Sequence, residues 1–166
     1  IIVDNVSTSA NSLGLDVDNH STVTSLNVTH ITPVSIASTK TLSGAITVTA
    51  GSIKLDEAGT LRSSVSMSGG TLDVDDTMTL WGQGLSQSGS ITIDVANGQT
   101  LYYLGAAISL GANTLTMSGG GRFSNFTNVL SLNNASSKLL LSSSITVDNV
   151  STSANNSGLD VDANST

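Results

Sequence analysis

Pairs of apolar residues separated by one intervening residue recur along the chain at nearly constant spacing. The steps between successive pairs are 19, 19, 19, 19, 24, 24 and 20 positions, and Gly or Asn precedes most pairs by one or two positions. Alternation of apolar and polar residues over a short stretch bounded by turn residues predicts β-strands. The pairs are Leu15/Val17, Val34/Ile36, Ile53/Leu55, Leu72/Val74, Ile91/Ile93, Leu115/Met117, Leu139/Leu141 and Leu159/Val161.

Two further apolar series follow the first at similar spacing. The second series is Val23, Leu42, Leu61, Leu80, Leu101, Phe123 and Val147. The third series is Val28, Val48, Met67, Leu110 and Leu132. Three short strand signals per repeat, separated by turns, predict a three-sided coil. An all-β sandwich also has short strands at intervals, but nothing in that fold requires four equal steps in succession.

This periodicity predicts an all-β fold, a right-handed parallel β-helix (β-solenoid) of about seven to eight coils of 19–24 residues each. Equal positions on adjacent coils would pair about 4.8 Å apart, and right-handed crossovers are the rule between parallel strands. The first residues of the eight pairs should therefore form one buried column. That column is Leu15, Val34, Ile53, Leu72, Ile91, Leu115, Leu139 and Leu159.

A longer repeat encloses the short one. Residues 145–166 restate residues 1–22 at an offset of 144 positions, and most of the aligned residues are identical. Seven short repeats fill this interval, so the eighth coil has nearly the same sequence as the first. The predicted organisation is a single β-solenoid over residues 1–166, in which 1–144 form one long repeat unit and 145–166 begin the next copy.

Composition narrows the classes of function. The chain has 166 residues, no cysteine, 3% aromatic residues and a formal net charge of −7. The lack of cysteine excludes disulfides, thiolate metal sites and a cysteine nucleophile. Binding to nucleic acid is not expected, because five Lys and Arg residues in an acidic chain cannot neutralise many phosphates. No transmembrane segment is expected either, since a spanning helix needs about 20 consecutive apolar residues.

Polar positions beside the apolar ones predict outward ladders along the rod. A threonine directly precedes most members of the second apolar series. These threonines are Thr22, Thr41, Thr60, Thr79, Thr100 and Thr146. Stacked on adjacent coils, these side chains would contact one another through hydroxyl and methyl groups. The positions two residues further on are Thr24, Ser43, Arg62, Trp81, Tyr102 or Tyr103, and Ser124. Arg62 and Trp81 interrupt the flat face that ice binding would need.

Acidic residues follow the apolar pairs on three consecutive coils, at Asp56, Asp75 and Asp94. If they stacked, their carboxylates would lie about 5 Å apart and repel one another, so a compensating partner is expected. Hard oxygen ligands suit Ca²⁺, which makes these three the candidate metal ligands and calcium the one candidate cofactor. The alternative is that they are solvated turn residues. Lys54 and Asp73 should be neighbours on adjacent coils, where they are able to form an ion pair at the surface.

Asn-x-Ser/Thr sequons are frequent, and they would mark outer turns if the chain is exported and glycosylated. They begin at Asn5, Asn19, Asn27, Asn125, Asn134, Asn149, Asn155 and Asn164.

The pattern of apolar, polar and turn residues in several segments resembles that of a known class of fibrous proteins. The segments are GAITVTAGSIKLDEAGTL, VSMSGGTLDVDDTMTL and SGSITIDVANGQTL. They resemble the β-solenoid stalks of secreted bacterial surface proteins, namely filamentous-haemagglutinin-like exoproteins and autotransporter passengers. The resemblance covers most of the chain at the level of pattern, and it implies a secreted, fibrous protein.

These features favour a structural or adhesive filament protein, located outside the cell or at the cell surface, with no enzymatic activity. The expected partners are further copies of the chain, in tandem or stacked end to end, and surface glycans. One alternative is a carbohydrate-active β-helix enzyme with a carboxylate pair from Asp73, Asp75 and Asp76. His20 and His30 lie in polar stretches and are expected to be exposed. The other alternative is a solenoid that binds calcium or ice.

Overall fold

The computed structural model describes residues 1–8, 13–125, 128–152, 158–161 and 165–166. Every regular element within these ranges is a β-strand. The strands form two eight-stranded sheets and one three-stranded sheet, wound as a β-solenoid of about seven turns. The prediction of a parallel β-solenoid is therefore confirmed, while the hand of its winding stays a prediction. No described segment forms a helix long and apolar enough to cross a membrane.

Each sheet contains strands from successive coils. The first sheet contains β1 (Ile2–Ser7), β3 (Ser21–Val28), β5 (Thr41–Val48), β7 (Thr60–Met67), β9 (Met78–Gln87), β11 (Thr100–Leu104), β14 (Arg122–Ser124) and β17 (Thr146–Val147). The second contains β2 (Leu15–Val17), β4 (Thr32–Ile36), β6 (Ser52–Leu55), β8 (Thr71–Val74), β10 (Ile91–Val95), β13 (Thr114–Ser118), β16 (Lys138–Leu141) and β19 (Gly158–Val161). The third contains β12 (Ile108–Ser109), β15 (Leu130–Leu132) and β18 (Val150–Thr152).

Strand β7 shows why these residues form strands. Its side chains alternate between the interior and the surface, with Leu61, Val65 and Met67 buried and Arg62 and Ser66 exposed. A strand with this period buries one face and solvates the other. The same alternation on every coil fills a continuous interior made almost entirely of Val, Leu, Ile and Met side chains.

The predicted buried column is largely confirmed. Six of its members are at most 3% exposed: Val34, Ile53, Leu72, Ile91, Leu115 and Leu139. Ile53 pairs with Leu72, as the short repeat predicts. Leu15 and Leu159 belong to the first and last coils of the chain described; Leu15 is half-buried and Leu159 is 52% exposed. A coil with only one neighbouring coil has half of its interior contacts, so this exposure follows from position.

Two steps of the predicted column are wrong by two residues. Val34 pairs with Leu55 and not with Ile53, and Leu72 pairs with Ile93 and not with Ile91. The reason is that β4 and β10 each have three inward positions instead of two. In β4 the additional inward residue is Thr32, which is fully buried.

The second apolar series contains the same kind of error. Val23 pairs with Gly44 and not with Leu42, and Leu80 pairs with Tyr103 and not with Leu101. A slip by two residues keeps each side chain on its own face of the sheet, so the pattern of apolar and polar positions does not distinguish the two registers. The third series pairs as expected where Val28 meets Val48 and Val48 meets Met67.

A β-bulge in β9 interrupts the regular pairing of β7 with β9. Arg62 on β7 pairs with Trp81, but Ser64 pairs with Gly84, so β9 has one more residue than β7 across this interval. A bulge leaves part of the ladder unpaired and redirects the strand. Here the buried hydroxyl of Tyr103 compensates, because it accepts a hydrogen bond from the Leu85 N–H (3.0 Å).

Candidate functional site

The acidic positions lie along the outer surface of the second sheet. Asp56 and Asp75 directly follow Leu55 and Val74, which pair with each other, and the Asp75 N–H donates to the Leu55 carbonyl (2.8 Å). These two aspartates are therefore neighbours on adjacent coils, as predicted. Asp94 does not continue the column above Asp75.

Asp94 instead pairs with Asp73. The cause is the two-residue shift between β8 and β10, which moves Asp94 from the position beside Asp75 to the position beside Asp73. The predicted stack of Asp56, Asp75 and Asp94 is thus wrong in its last step, although all three aspartates do lie on consecutive coils.

Each of these carboxylates has a partner within the protein. Lys54 is in register with Asp73, its predicted partner. Its ion pair, however, is with Asp75, which lies diagonally opposite on the same coil as Asp73. The Ser35 hydroxyl donates to Asp56 (2.6 Å), and the Ser118 hydroxyl donates to Asp94. One cation and two hydroxyls therefore offset the repulsion along this acidic row.

Electrostatics in the acidic row follow from burial and from the neighbouring charges. Burial raises the pKa of Asp73 above its ordinary value, and the carboxylates of Asp75 and Asp94 raise it further. Lys54 opposes this rise. The hydrogen bond to Asp75 raises the pKa of Lys54, which stays protonated in the row.

Calcium binding in the acidic row stays a prediction. Among the described residues, no group of three or more His, Asp or Glu side chains is arranged to hold a metal ion. Asp76, one of the carboxylates considered for glycoside hydrolysis, accepts a hydrogen bond from the N–H of Thr77 (2.7 Å). Asp76 lies in the bend between β8 and β9. His20 and His30 are exposed, as expected.

The threonine ladder exists over three coils of the first sheet. Thr41 pairs with Thr60, and Thr60 pairs with Thr79. At the two ends the register shifts place Thr22 beside Ser43 and Thr79 beside Tyr102. The predicted ladder is therefore shorter than its six threonines.

A second outward row runs beside the threonines. Ser43 pairs with Arg62, and Arg62 pairs with Trp81. The Arg62 guanidinium lies over the Trp81 ring, with Cζ 4.6 Å from the ring centroid. Of the two tyrosines considered for this surface, Tyr102 is exposed and Tyr103 is buried.

The sequons occupy different environments. Asn5, Asn19, Asn27 and Asn134 are exposed, and Asn155 and Asn164 lie outside the described residues. Asn125 is 1% exposed. Its amide donates to the Asn149 carbonyl (2.8 Å), and its side-chain oxygen accepts from the Asn149 N–H (3.1 Å). A side chain held in this way cannot carry a glycan while the coil is folded.

The repeated segment is seen in two settings. As residues 1–22 it is followed by another coil, and Val3 pairs with Val23. As residues 145–166 it is preceded by another coil, and Val147, the counterpart of Val3, pairs with Phe123. The two settings together describe both interfaces of one coil.

Asp148 shows how the repeated coil attaches to the coil before it. Arg122 donates two hydrogen bonds to one carboxylate oxygen of Asp148, from Nε (3.1 Å) and from Nη2 (2.7 Å). The Ser124 hydroxyl donates to the other oxygen (2.9 Å). The side chain of Asp148 is only 12% exposed, whereas its counterpart Asp4 is exposed.

Asn149 and its counterpart Asn5 use opposite ends of the same side chain. The Asn149 amide donates to the Asn125 carbonyl of the preceding coil (3.2 Å). The Asn5 side-chain oxygen accepts from the Ser25 hydroxyl of the following coil (2.7 Å). The donors and the acceptor do not compete, so one asparagine between two coils could make both sets of contacts.

Comparisons with protein-family models, with curated proteins and with solved structures found no match to this chain.

Proposed function

We propose that this chain is a segment of a structural filament in which 144-residue units continue one uninterrupted solenoid. The proposal rests on one observation: the repeated coil pairs with a following coil as residues 1–22 and with a preceding coil as residues 145–166, and the same coil could make both pairings at once. Val147 and Val3 have the same position in the repeat, and their partners are Phe123 on one side and Val23 on the other. A junction between units would join these pairs into one apolar column.

Polar contacts support the same junction. Arg122 and Ser124 of one unit would hold Asp4 of the next, as they hold Asp148 here. Asn5 of the next unit would bond to the preceding coil as Asn149 does, and to Ser25 of the following coil. Specific side-chain contacts of this kind fix the register of a parallel pairing, which apolar contacts alone leave free to slip by two residues.

The filament would act through mechanical continuity. Each coil adds a set of strand hydrogen bonds to its neighbour, and the unpaired strand edges of a terminal coil are templates for further strands. The proposed location is the cell surface or the extracellular space, with tandem copies of the unit as the main partner. This agrees with the resemblance to bacterial surface stalks.

A chain of two units, residues 1–144 followed by residues 1–166, tests the proposal by calorimetry. We expect a single unfolding transition with a larger enthalpy than that of the one-unit chain, because coils that share a ladder unfold cooperatively. Two independent transitions at the temperature of the one-unit chain would contradict it.

Arg122→Gln in the first unit tests the junction itself. We expect it to lower the stability of the two-unit chain by about 1 kcal/mol, because the partly exposed Arg122–Asp pair is screened by solvent. Lys40→Gln is the matched control, since it removes the same charge and no carboxylate among the described residues is paired with Lys40. Equal effects of the two variants would argue against the contact.

A further inference from the structure

A groove of about 590 Å³ runs along the outer surface of the first sheet, across the coils that carry β1 to β9. Thr41, Thr60 and Thr79 form one row of its lining, with their hydroxyl and methyl groups repeated at the strand spacing. Ser43, Arg62 and Trp81 form the adjacent row. The lining therefore combines regularly spaced hydroxyls with the Arg62 guanidinium and the Trp81 ring, and Ile1, Ile2 and His20 lie at its other end.

Arg62 is an uncommitted cation in this groove. Lys54 and Arg122 are ion-paired, but no carboxylate in the described part of the chain lies within salt-bridge distance of Arg62. The guanidinium lies over the Trp81 ring instead, 4.6 Å from its centroid. A guanidinium that contacts a ring face can still donate its N–H groups to another partner. Arg62 is thus available to bind an anion.

Trp81 lines the groove, and two exposed side chains of β11 lie near it, outside the lining. Trp81 is 47% exposed, and Tyr102 and Leu104, which pair with Thr79 and Trp81, are 43% and 37% exposed. Only 3% of the chain is aromatic, yet these two rings lie outside the core on adjacent strands. The glycine-rich bulge that follows Trp81 redirects β9 at this point. Neighbouring exposed rings of this kind mark binding surfaces.

We propose that this groove binds an extended oligosaccharide that carries carboxylate groups, such as a chain of uronic acids. The apolar C–H faces of sugar rings would pack on Trp81 and Tyr102, and the threonine hydroxyls would exchange hydrogen bonds with sugar hydroxyls. Arg62 would bind one carboxylate in the two-pronged geometry that guanidinium favours. The regular rungs, about 4.8 Å apart, suit a linear polymer that lies along the axis of the rod.

Other occupants fit the groove less well. Nucleic acid would need several cations along the groove, and Arg62 is the one Lys or Arg among its lining residues. A peptide that adds a strand to a sheet needs an unpaired edge. Strands β3, β5 and β7 are paired on both sides along the groove. A sugar chain uses the rings and hydroxyls that the groove does present.

The only tryptophan of the chain lies in the groove, so its fluorescence reports binding directly. The one-unit chain is titrated with an oligogalacturonate and, separately, with a neutral galactan oligosaccharide of equal length. We expect a saturable change in Trp81 fluorescence with the acidic sugar and binding at least about tenfold weaker with the neutral one, because a charged hydrogen bond is lost.

Variants separate a specific site from general attraction. Arg62→Gln should weaken binding of the oligogalacturonate about tenfold, and Arg62→Lys should weaken it less. Lys54→Gln, which removes an equal charge from the second sheet, should leave the affinity unchanged. Circular dichroism of each variant establishes that the fold is retained.

Three outcomes would overturn the proposal. They are the absence of saturable binding at millimolar sugar, equal affinity for the neutral sugar, and equal losses from the Arg62 and Lys54 variants. This test is independent of whether tandem units form a filament, because it uses one unit alone.

Discussion

Residues 41–74 and residues 78–125 both stack coil on coil, but they differ in how regularly their strands pair. In the first, regular region, β5 and β7 pair along their whole length without a shift, and Leu42 meets Leu61 at the short spacing of the repeat. In the second, bulged region, β9 contains a bulge, and Leu80 meets Tyr103 across a longer coil. The regular region depends on the backbone ladder and the bulged region on particular side chains.

Specific side chains bond to backbone groups at irregular positions of the longer coils. Tyr103 is the central case, since its hydroxyl accepts from the Leu85 N–H (3.0 Å) and donates to the Ala106 carbonyl (2.6 Å). The Asn113 amide donates to the Leu110 carbonyl (3.0 Å) in a similar way. A buried backbone group without a partner is costly, so the bulge in β9 depends on the Tyr103 hydroxyl.

The largest effect is expected where both regions depend on the same feature, the apolar interior. Val65→Asp places a charge in a fully buried position of the regular region, and we expect loss of cooperative folding because the charge has no partner there. The control is Ser66→Asp on the exposed face of the same strand, which should fold. Circular dichroism melts compare the two variants, and a folded Val65→Asp protein would refute the predicted dry interior.

Gly84→Ala should cost about 2–4 kcal/mol, because the position combines a φ of +76° with close packing. A Cβ atom there would lie 2.8 Å from the Ala106 N and would also collide with the Tyr103 hydroxyl. Gly98→Ala is the matched control, since Gly98 has a similar φ of +79° and nothing lies within 4 Å of the added atom. Urea unfolding of both variants separates packing from backbone strain, and equal losses would contradict the account of the bulge.

Tyr103→Phe should destabilise the protein by about 1–3 kcal/mol, because it leaves the Leu85 N–H and the Ala106 carbonyl without their partner. Tyr102→Phe removes a hydroxyl from the exposed neighbour and should change the stability little. Hydrogen exchange at the Leu85 amide provides a local measurement. Unchanged protection of that amide in Tyr103→Phe would show that the hydroxyl does not hold the bulge.

Asp73→Asn should give a small gain in stability at neutral pH, at most about 0.5 kcal/mol after screening by solvent. The pKa of Asp73 is raised in the folded state, so the folded protein binds the proton more tightly than the unfolded chain. The carboxyl therefore favours folding below its ordinary pKa, and this contribution is lost as the pH rises through the raised value. Thermal melts from acidic to neutral pH should show the gain only at the upper end, and a gain at the acidic end would contradict this sign.

The effect of calcium on the melting temperature tests whether the aspartates of the acidic row bind a metal ion. If Asp56, Asp75 and Asp94 hold Ca²⁺, a chelator should lower the melting temperature, and added calcium should restore it. The Asp94→Asn variant separates the two arrangements, because Asp94 lies beside Asp73 and not beside Asp75. A chelator effect that survives Asp94→Asn would place the ion at Asp56 and Asp75 alone.

The sequence predicted the sheets and the buried positions well, because alternation has a period of two and the coils repeat. It could not predict the shifts at Val34 and Leu72, since a slip of two residues leaves the pattern of buried and exposed positions unchanged. Thr32 could have indicated the first shift, but a polar residue at an inward position carries no apolar signal. The error at Asp94 followed directly from the second shift.

Contacts between distant residues were also beyond the sequence pattern. The pattern left open whether Tyr102 or Tyr103 faces outward, because either fits a strand of unknown register. The position of Arg62 over Trp81 follows from the pairing of equal positions on adjacent coils, which the short repeat did predict. The sequence pattern therefore predicts that the two residues are neighbours, although it does not show that the guanidinium lies over the ring.

The axial repeat of the filament tests the central claim most directly. Electron microscopy of the native material, or of a chain of many units, measures it without labels. Seven strand spacings predict unbranched filaments of uniform width with an axial repeat of about 34 Å or a multiple of it. Separate compact particles joined by flexible links, with no repeat near that length, would contradict the uninterrupted solenoid.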